Sequence, residues 1–203
     1  MKKVALSIAA LLVAGISFGQ VRYGVVGGLN LSSFTVKEKG GDKKSQDLLV
    51  GVRAGITADL HLADEFYIGT GLLFTGKGGK DKDDSKSKLT LSYLQVPVNF
   101  MYKPQLGSGK LVVGAGPYIA YGIKGKYKID DGEVKGKLNA FKDEAGDGKL
   151  KRLDAGLGIV VGYELKNNLY LGLHTDLGLV NIADNKDFKI RNFSSGVSVG
   201  YKF

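Results

Sequence analysis

The chain contains no cysteine, which excludes disulfides, thiolate metal sites and cysteine nucleophiles. Histidine is nearly missing too. Only His61 and His174 are available for imidazole chemistry. Proline is scarce, at 3 residues, while glycine is abundant, at 31; glycine in such excess over proline does not mark a disordered linker. Past residue 16 no run is long and apolar enough for a transmembrane helix. What the 203 residues offer instead is alternation. The mean hydropathy of −0.03 fits an ordinary folded chain, and equally a barrel whose lipid-facing and interior residues cancel.

The N-terminus reads as a targeting segment. Met1, Lys2 and Lys3 form a basic start, residues 4–16 are apolar, and Ser17 and Gly19 place small residues at −3 and −1. These features predict a signal peptide over 1–19, cleaved before Gln20. The net charge of +9 falls to +7 once Lys2 and Lys3 are removed. One exported domain over 20–203 is expected.

The remainder repeats one pattern: segments of period two, the signature of strands with unlike faces. They cover residues 22–33, 47–61, 66–76, 89–103, 110–126, 151–165, 169–180 and 193–203. In 47–61, Val50, Val52, Ala54, Ile56, Ala58 and Leu60 alternate with Gly51, Arg53, Gly55, Thr57, Asp59 and His61 without a break. In 89–103 the apolar phase slips after Tyr93, which predicts a β-bulge near Ser92 and Tyr93. Pro97 adds local irregularity, because it cannot donate to a ladder. Connections alternate between tight (62–65, 104–109, 166–168) and long and hydrophilic (34–46, 77–88, 127–150, 181–190). Asn167 and Asn168 suit the left-handed conformation of a tight turn. The reading is all-β: an eight-stranded antiparallel up-and-down transmembrane β-barrel, with short periplasmic turns and long extracellular loops. The last strand should pair with the first and leave no edge.

The polar face carries Arg22, Arg53, Asp59, Gln95, Asn99, Arg152, Asp154, Glu164, His174 and Asp176. Unpaired, such charges cost several kcal/mol each when buried, so a paired lumen network is expected. The apolar face is too extensive for water and should meet lipid. Tyr23, Phe66, Tyr102, Tyr163, Tyr201 and Phe203 gather near the tight-turn rim as an interfacial girdle.

Stretches 23–32 (YGVVGGLNLS), 93–103 (YLQVPVNFMYK) and 196–203 (GVSVGYKF) resemble the PorT-like, "porin family" small outer-membrane β-barrels. The resemblance covers the mature chain. It implies an outer-membrane protein with a structural, interaction or narrow-pore role. In that family the central motif commonly carries Glu where Gln95 stands. Tyr201 and Phe203 resemble the terminal aromatic signal read by the outer-membrane assembly machinery.

Other chemistry is weaker. His174, two residues from Asp176, admits a lipid-modifying hydrolase, but it sits on the interior face, so no catalytic residue is assigned. The acidic stretches 81–84 and 143–147 lack the spacing of a calcium loop, and no metal or other cofactor is expected. Lysines 37, 39, 43, 44, 77, 80, 82, 86, 135, 137, 142 and 149 should crowd the outer rim, where they face lipopolysaccharide phosphates or simply water. Outer-membrane lipid, lipopolysaccharide and the assembly machinery are the expected partners, with no nucleic acid and a monomeric state. A soluble periplasmic barrel that binds a lipophilic ligand is the alternative from a different class.

Overall fold

The computed structural model describes residues 21–38, 43–80, 88–130, 135–142, 148–185 and 187–203. The signal-peptide segment and both acidic stretches lie outside the described residues.

Eight long strands form the wall: β1 (Val21–Glu38), β3 (Leu49–Ala63), β4 (Phe66–Lys80), β5 (Lys88–Tyr102), β7 (Gly109–Asp130), β9 (Leu153–Glu164), β10 (Leu169–Gly178) and β11 (Phe188–Lys202). Short strands β2 (Lys43–Ser45), β6 (Gln105–Leu106) and β8 (Lys135–Asn139) pair on β1, β7 and β7. Each wall strand pairs antiparallel with its sequence neighbour in the wall, and β11 closes on β1 from Gly24 opposite Lys202 to Glu38 opposite Phe188. Closure leaves no unpaired edge, which a sheet in hydrocarbon requires.

The connections β3–β4, β5–β7 and β9–β10 turn at one end, the turn end; the other four lie at the loop end. Asp64 and Asn168 take left-handed backbone (φ 48° and 65°) in two of the turns, and Gly107 (φ 59°) does so in the third. Strands run further into the loop end than the hydropathy pattern reaches. β4 continues to Lys80, opposite Lys88, and β7 to Asp130. Past the apolar belt outward residues need not be apolar, so alternation fades while the ladder continues.

The apolar face points out. Val25, Leu29, Val52, Ile56, Leu72, Val98, Ile119, Leu157, Leu173 and Val197 are all exposed large hydrophobics around the barrel. The inward face carries the charges. This is the reverse of what a soluble carrier of a lipophilic ligand needs, and that alternative is discarded. Near the turn end Phe66 packs on Phe100 and Tyr102, and Tyr201 meets Phe203 edge to face at 5.5 Å.

The irregularity near Ser92 is real but lies across the ladder. β5 keeps strict alternation, with Leu89, Leu91, Tyr93, Gln95, Pro97, Asn99 and Met101 all inward. Opposite it, Tyr93 pairs with Gly122 and Ser92 with Lys124, so the extra residue is Ile123 on β7. The apolar phase of β5 changes because the interior itself becomes apolar there.

Candidate functional site: a layered lumen

An eight-stranded barrel is only just wide enough to be filled by its own side chains, and here the filling is ordered in layers. At the turn end three cations share two carboxylates. Lys103 Nζ lies 2.6 Å from Asp59 and 3.3 Å from Glu164. Lys202 approaches Asp59 at 2.8 Å and donates to Thr57 at 3.1 Å. Arg22 pairs with Glu164 and donates to Asn168 Oδ1 at 3.0 Å. The Lys103 ammonium also sits 5.0 Å from the Tyr67 ring centre.

In the middle, Asp176 accepts from Arg53 and from Gln95 Nε2, each at 3.0 Å. His174 does not hydrogen-bond to Asp176. Its Nε2 meets Asn30 Oδ1 at 2.6 Å and its Nδ1 meets Ser198 Oγ at 3.1 Å. Asn30 donates its Nδ2 to Gly76 O, which turns Oδ1 toward the ring and assigns the imidazole proton to Nε2. The trio clasps β1, β10 and β11 together. A cavity of about 90 Å³ lies between the middle and turn-end layers, lined by Arg53, Asp59, Met101, Tyr170, His174 and Lys202 among others; it has room for water.

Toward the loop end Lys77 and Asp154 pair at 3.1 Å with both side chains fully buried. Asp154 also accepts from Asn192 Nδ2 at 3.0 Å and Tyr118 OH at 3.4 Å. The Lys77 ammonium lies 4.4 Å from the Tyr118 ring centre and 5.5 Å from that of Tyr93. Among the described residues, Thr75 Oγ1, Gln95 Oε1, Asn99 Oδ1, Asp154 Oδ1, Asn192 Oδ1 and Ser194 Oγ find no partner. Ordered water is the usual partner of such buried oxygens.

Above this layer the interior turns apolar. Leu89, Leu91, Tyr93, Tyr118 and Ala120 from the wall meet Ala140, Phe141, Leu150 and Ile182 from the loop-end connections. The Phe141 ring lies over Gly122 and Gly125, where an added Cβ would collide with it, and meets Tyr93 edge to face. Leu150 N donates to Ala140 O at 2.7 Å, and Lys151 N to Ile182 O at 2.7 Å. Asn181 Oδ1 accepts from Ala183 and Ile190, and its Nδ2 donates to Phe188 O. These bonds fold the connections into a cap over the mouth.

Eight of the sequence-nominated residues (Arg53, Asp59, Gln95, Asn99, Asp154, Glu164, His174 and Asp176) are buried inward, and Arg22 is half-buried at the turn end. Arg152 is a correction. It stands just before β9, donates to Gly122 O at 2.8 Å and stacks 4.9 Å from Phe141, so it belongs to the cap and not to the ion network. Lys77 is a second. The sequence reading put it on the outer rim, yet it is 0% exposed. Its parity with Tyr67, Gly69, Gly71, Leu73 and Thr75 carried the signal. Lys103 continues Gln95, Pro97, Asn99 and Met101 inward in the same way, and Lys202 follows Ser198 and Gly200. The connections read as hydrophilic hold Phe141, Leu150 and Ile182, all buried. Among the described residues, no group of three His, Asp or Glu side chains could hold a metal ion.

Solved structures similar to this chain include the attachment invasion locus protein Ail of Yersinia pestis, at 12% identity over 90% of this chain and 98% of that one (TM-score 0.44). Neisserial surface protein A matches at 14% identity over 89% and 97% (TM-score 0.47). OprG from Pseudomonas aeruginosa matches at 14% over 90% and 95% (TM-score 0.47). A search of curated protein sequences gives no significant match. A family model, outer membrane protein beta-barrel domain, matches residues 14–184, and the chain with its closed wall and apolar outer belt belongs to that family as an integral outer-membrane barrel.

Proposed function

We propose that this protein is a sealed, monomeric, non-catalytic outer-membrane anchor that presents its loop end to the cell exterior as an interaction surface. The observation that carries this reading is the closure of the lumen. Gln95, Lys77 and Asp154 are fully buried beneath the cap of Phe141, Leu150 and Ile182, so the described side chains fill the lumen at this level. A narrow pore is the weaker reading for the same reason. The Ser198, His174 and Asn30 side chains have the order of a nucleophilic relay, but Ser198 borders only the interior cavity, away from the lipid face on which a lipid-modifying enzyme must work.

Within the family the motifs at 23–32, 93–103 and 196–203 favour the PorT-like group. The signal peptide over 1–19 delivers the chain, and the assembly machinery reads the terminal strand through Tyr201 and Phe203. Lipopolysaccharide surrounds the loop end. Planar-bilayer recording of the purified barrel tests closure: no steady conductance is expected, and reproducible single-channel steps would overturn the sealed-anchor reading. The absence of native cysteine makes orientation easy to test. A membrane-impermeant maleimide applied to intact cells should label Lys142→Cys at the loop end and spare Ser108→Cys at the turn end. The opposite pattern would invert the barrel.

A further inference from the structure

The extra residue on β7 has a consequence for charge. A one-residue bulge exchanges the faces of everything beyond it. On the turn-end side of Ile123, the even-numbered Val112, Tyr118, Ala120 and Gly122 are buried. On the loop-end side, Lys124, Lys126 and Lys128 are exposed, while Gly125 and Tyr127 turn inward. Without Ile123 the three lysines would aim into the apolar cap. With it they face outward, level with β5, where Lys124 is opposite Ser92, Lys126 opposite Thr90 and Lys128 opposite Lys88.

These side chains line a concave surface of about 310 Å³ on the outer wall of the barrel. Lys124 and Lys126 stand on one face of β7, beside Ser92 and Thr90 of β5. Among the described residues, Lys88, Lys124 and Lys126 make no ion pair. Directly below, the outward residues are Leu94, Tyr121 and Ile123, all exposed apolar surface. The patch therefore begins where the apolar belt stops. A ligand that fits both features carries anionic groups at the level of the lysines and hydrocarbon one step lower.

We infer that this β5–β7 surface binds the phosphate-bearing headgroup of an outer-leaflet lipid, whose acyl chains lie along Leu94, Tyr121 and Ile123. The proposal rests on the orientation given above, with the loop end outward. It differs from general attraction by lysine-rich loops in assigning a place on the wall, with hydroxyls from Thr90 and Ser92 between the ammonium groups.

The test is a titration of the folded protein in detergent micelles, read by native mass spectrometry. The probes are bisphosphorylated lipid A, the same lipid stripped of phosphate, and inorganic phosphate. Each lysine near a phosphate surface contributes about fivefold in affinity, so the triple variant Lys88→Gln, Lys124→Gln, Lys126→Gln should bind lipid A about a hundredfold more weakly. The stripped lipid should lose comparably on the native protein. The charge-matched variant Lys110→Gln, Lys151→Gln, Lys166→Gln should bind as the native protein does, and inorganic phosphate should not displace the lipid. Heat-modified gel migration checks that each barrel is folded; if the triple variant does not fold, Lys126→Gln alone should still show the fivefold loss. Equal affinity of the patch variant and native protein, equal binding of stripped lipid, an equal loss in the control variant, or displacement by free phosphate would each overturn the proposal. Micelle binding is indifferent to orientation, so these outcomes judge the site, whereas maleimide labelling judges the orientation separately.

Discussion

Replacing Lys77 by methionine removes one ammonium and keeps nearly the same side-chain volume in the barrel interior. The loss falls on Asp154, whose other partners are the neutral groups of Asn192 and Tyr118 and whose Oδ1 already lacks a partner among the described residues. One cation serves one carboxylate here, and both are fully buried. Stranding a buried charge in this way costs about 3–5 kcal/mol. Lys202→Met offers the contrast. It removes the 2.8 Å partner of Asp59, but Lys103 remains at 2.6 Å. The loss is then one charge-assisted hydrogen bond, about 1.5–3 kcal/mol. The double variant Lys77→Met, Asp154→Asn removes both charges and preserves an acceptor for Asn192 and Tyr118. It should recover most of the loss, because a missing pair costs far less than half of one. Urea titration of barrels folded into lipid vesicles, followed by the gel shift between folded and unfolded forms, measures all three. If Lys77→Met costs no more than Lys202→Met, or if the double variant is no better than Lys77→Met, the layered ion network is not organised by cation count per carboxylate.

Three further outcomes are expected. Phe141→Ala should cost the cap about 3–5 kcal/mol and speed protease cleavage around it, while bilayer recordings stay silent because the Arg53, Gln95 and Asp176 layer below still fills the lumen; new conductance would show that the cap alone seals the barrel. Leu173→Arg puts a charge on an outward position that is 59% exposed within the apolar belt, so the yield of barrel folded into vesicles should fall in line with a penalty of about 2–4 kcal/mol near the midplane. An unchanged yield would remove Leu173 from the lipid face. Deleting Phe203, whose N–H donates to Tyr23 O at the closing seam, should slow membrane assembly in cells, and normal assembly would count against its role there.

Much of the wall was legible because a strand in lipid obeys one strict rule: every second side chain faces hydrocarbon. Residues 50–61 show it without exception, and the same rule places Arg53, Asp59 and His174 inside. The reading failed where the medium changed. Hydrophilic residues follow Lys77 and mask its place in the strand, although its parity with Thr75 aims it inward. The phase slip at Tyr93 looked like a bulge in β5, whereas Leu89, Leu91 and Tyr93 serve an apolar interior and the bulge lies on β7. Phe141, Leu150 and Ile182 stand isolated in polar sequence, with no period to reveal that they would meet.

The sequence by itself determined the strand period, the strand count, the outward apolar belt and the pairing of last strand with first, because these follow from local alternation and from the need to leave no open edge in lipid. The tertiary structure alone decided which charge met which. Lys77 and Asp154, Lys103 and Glu164, and Arg53 and Asp176 lie 77, 61 and 123 residues apart in the chain, and strand stagger around a closed wall, not proximity in sequence, brings them within hydrogen-bonding reach. The same closure assembled the cap from distant connections and, through the extra residue Ile123, turned three lysines from the interior to the outer wall.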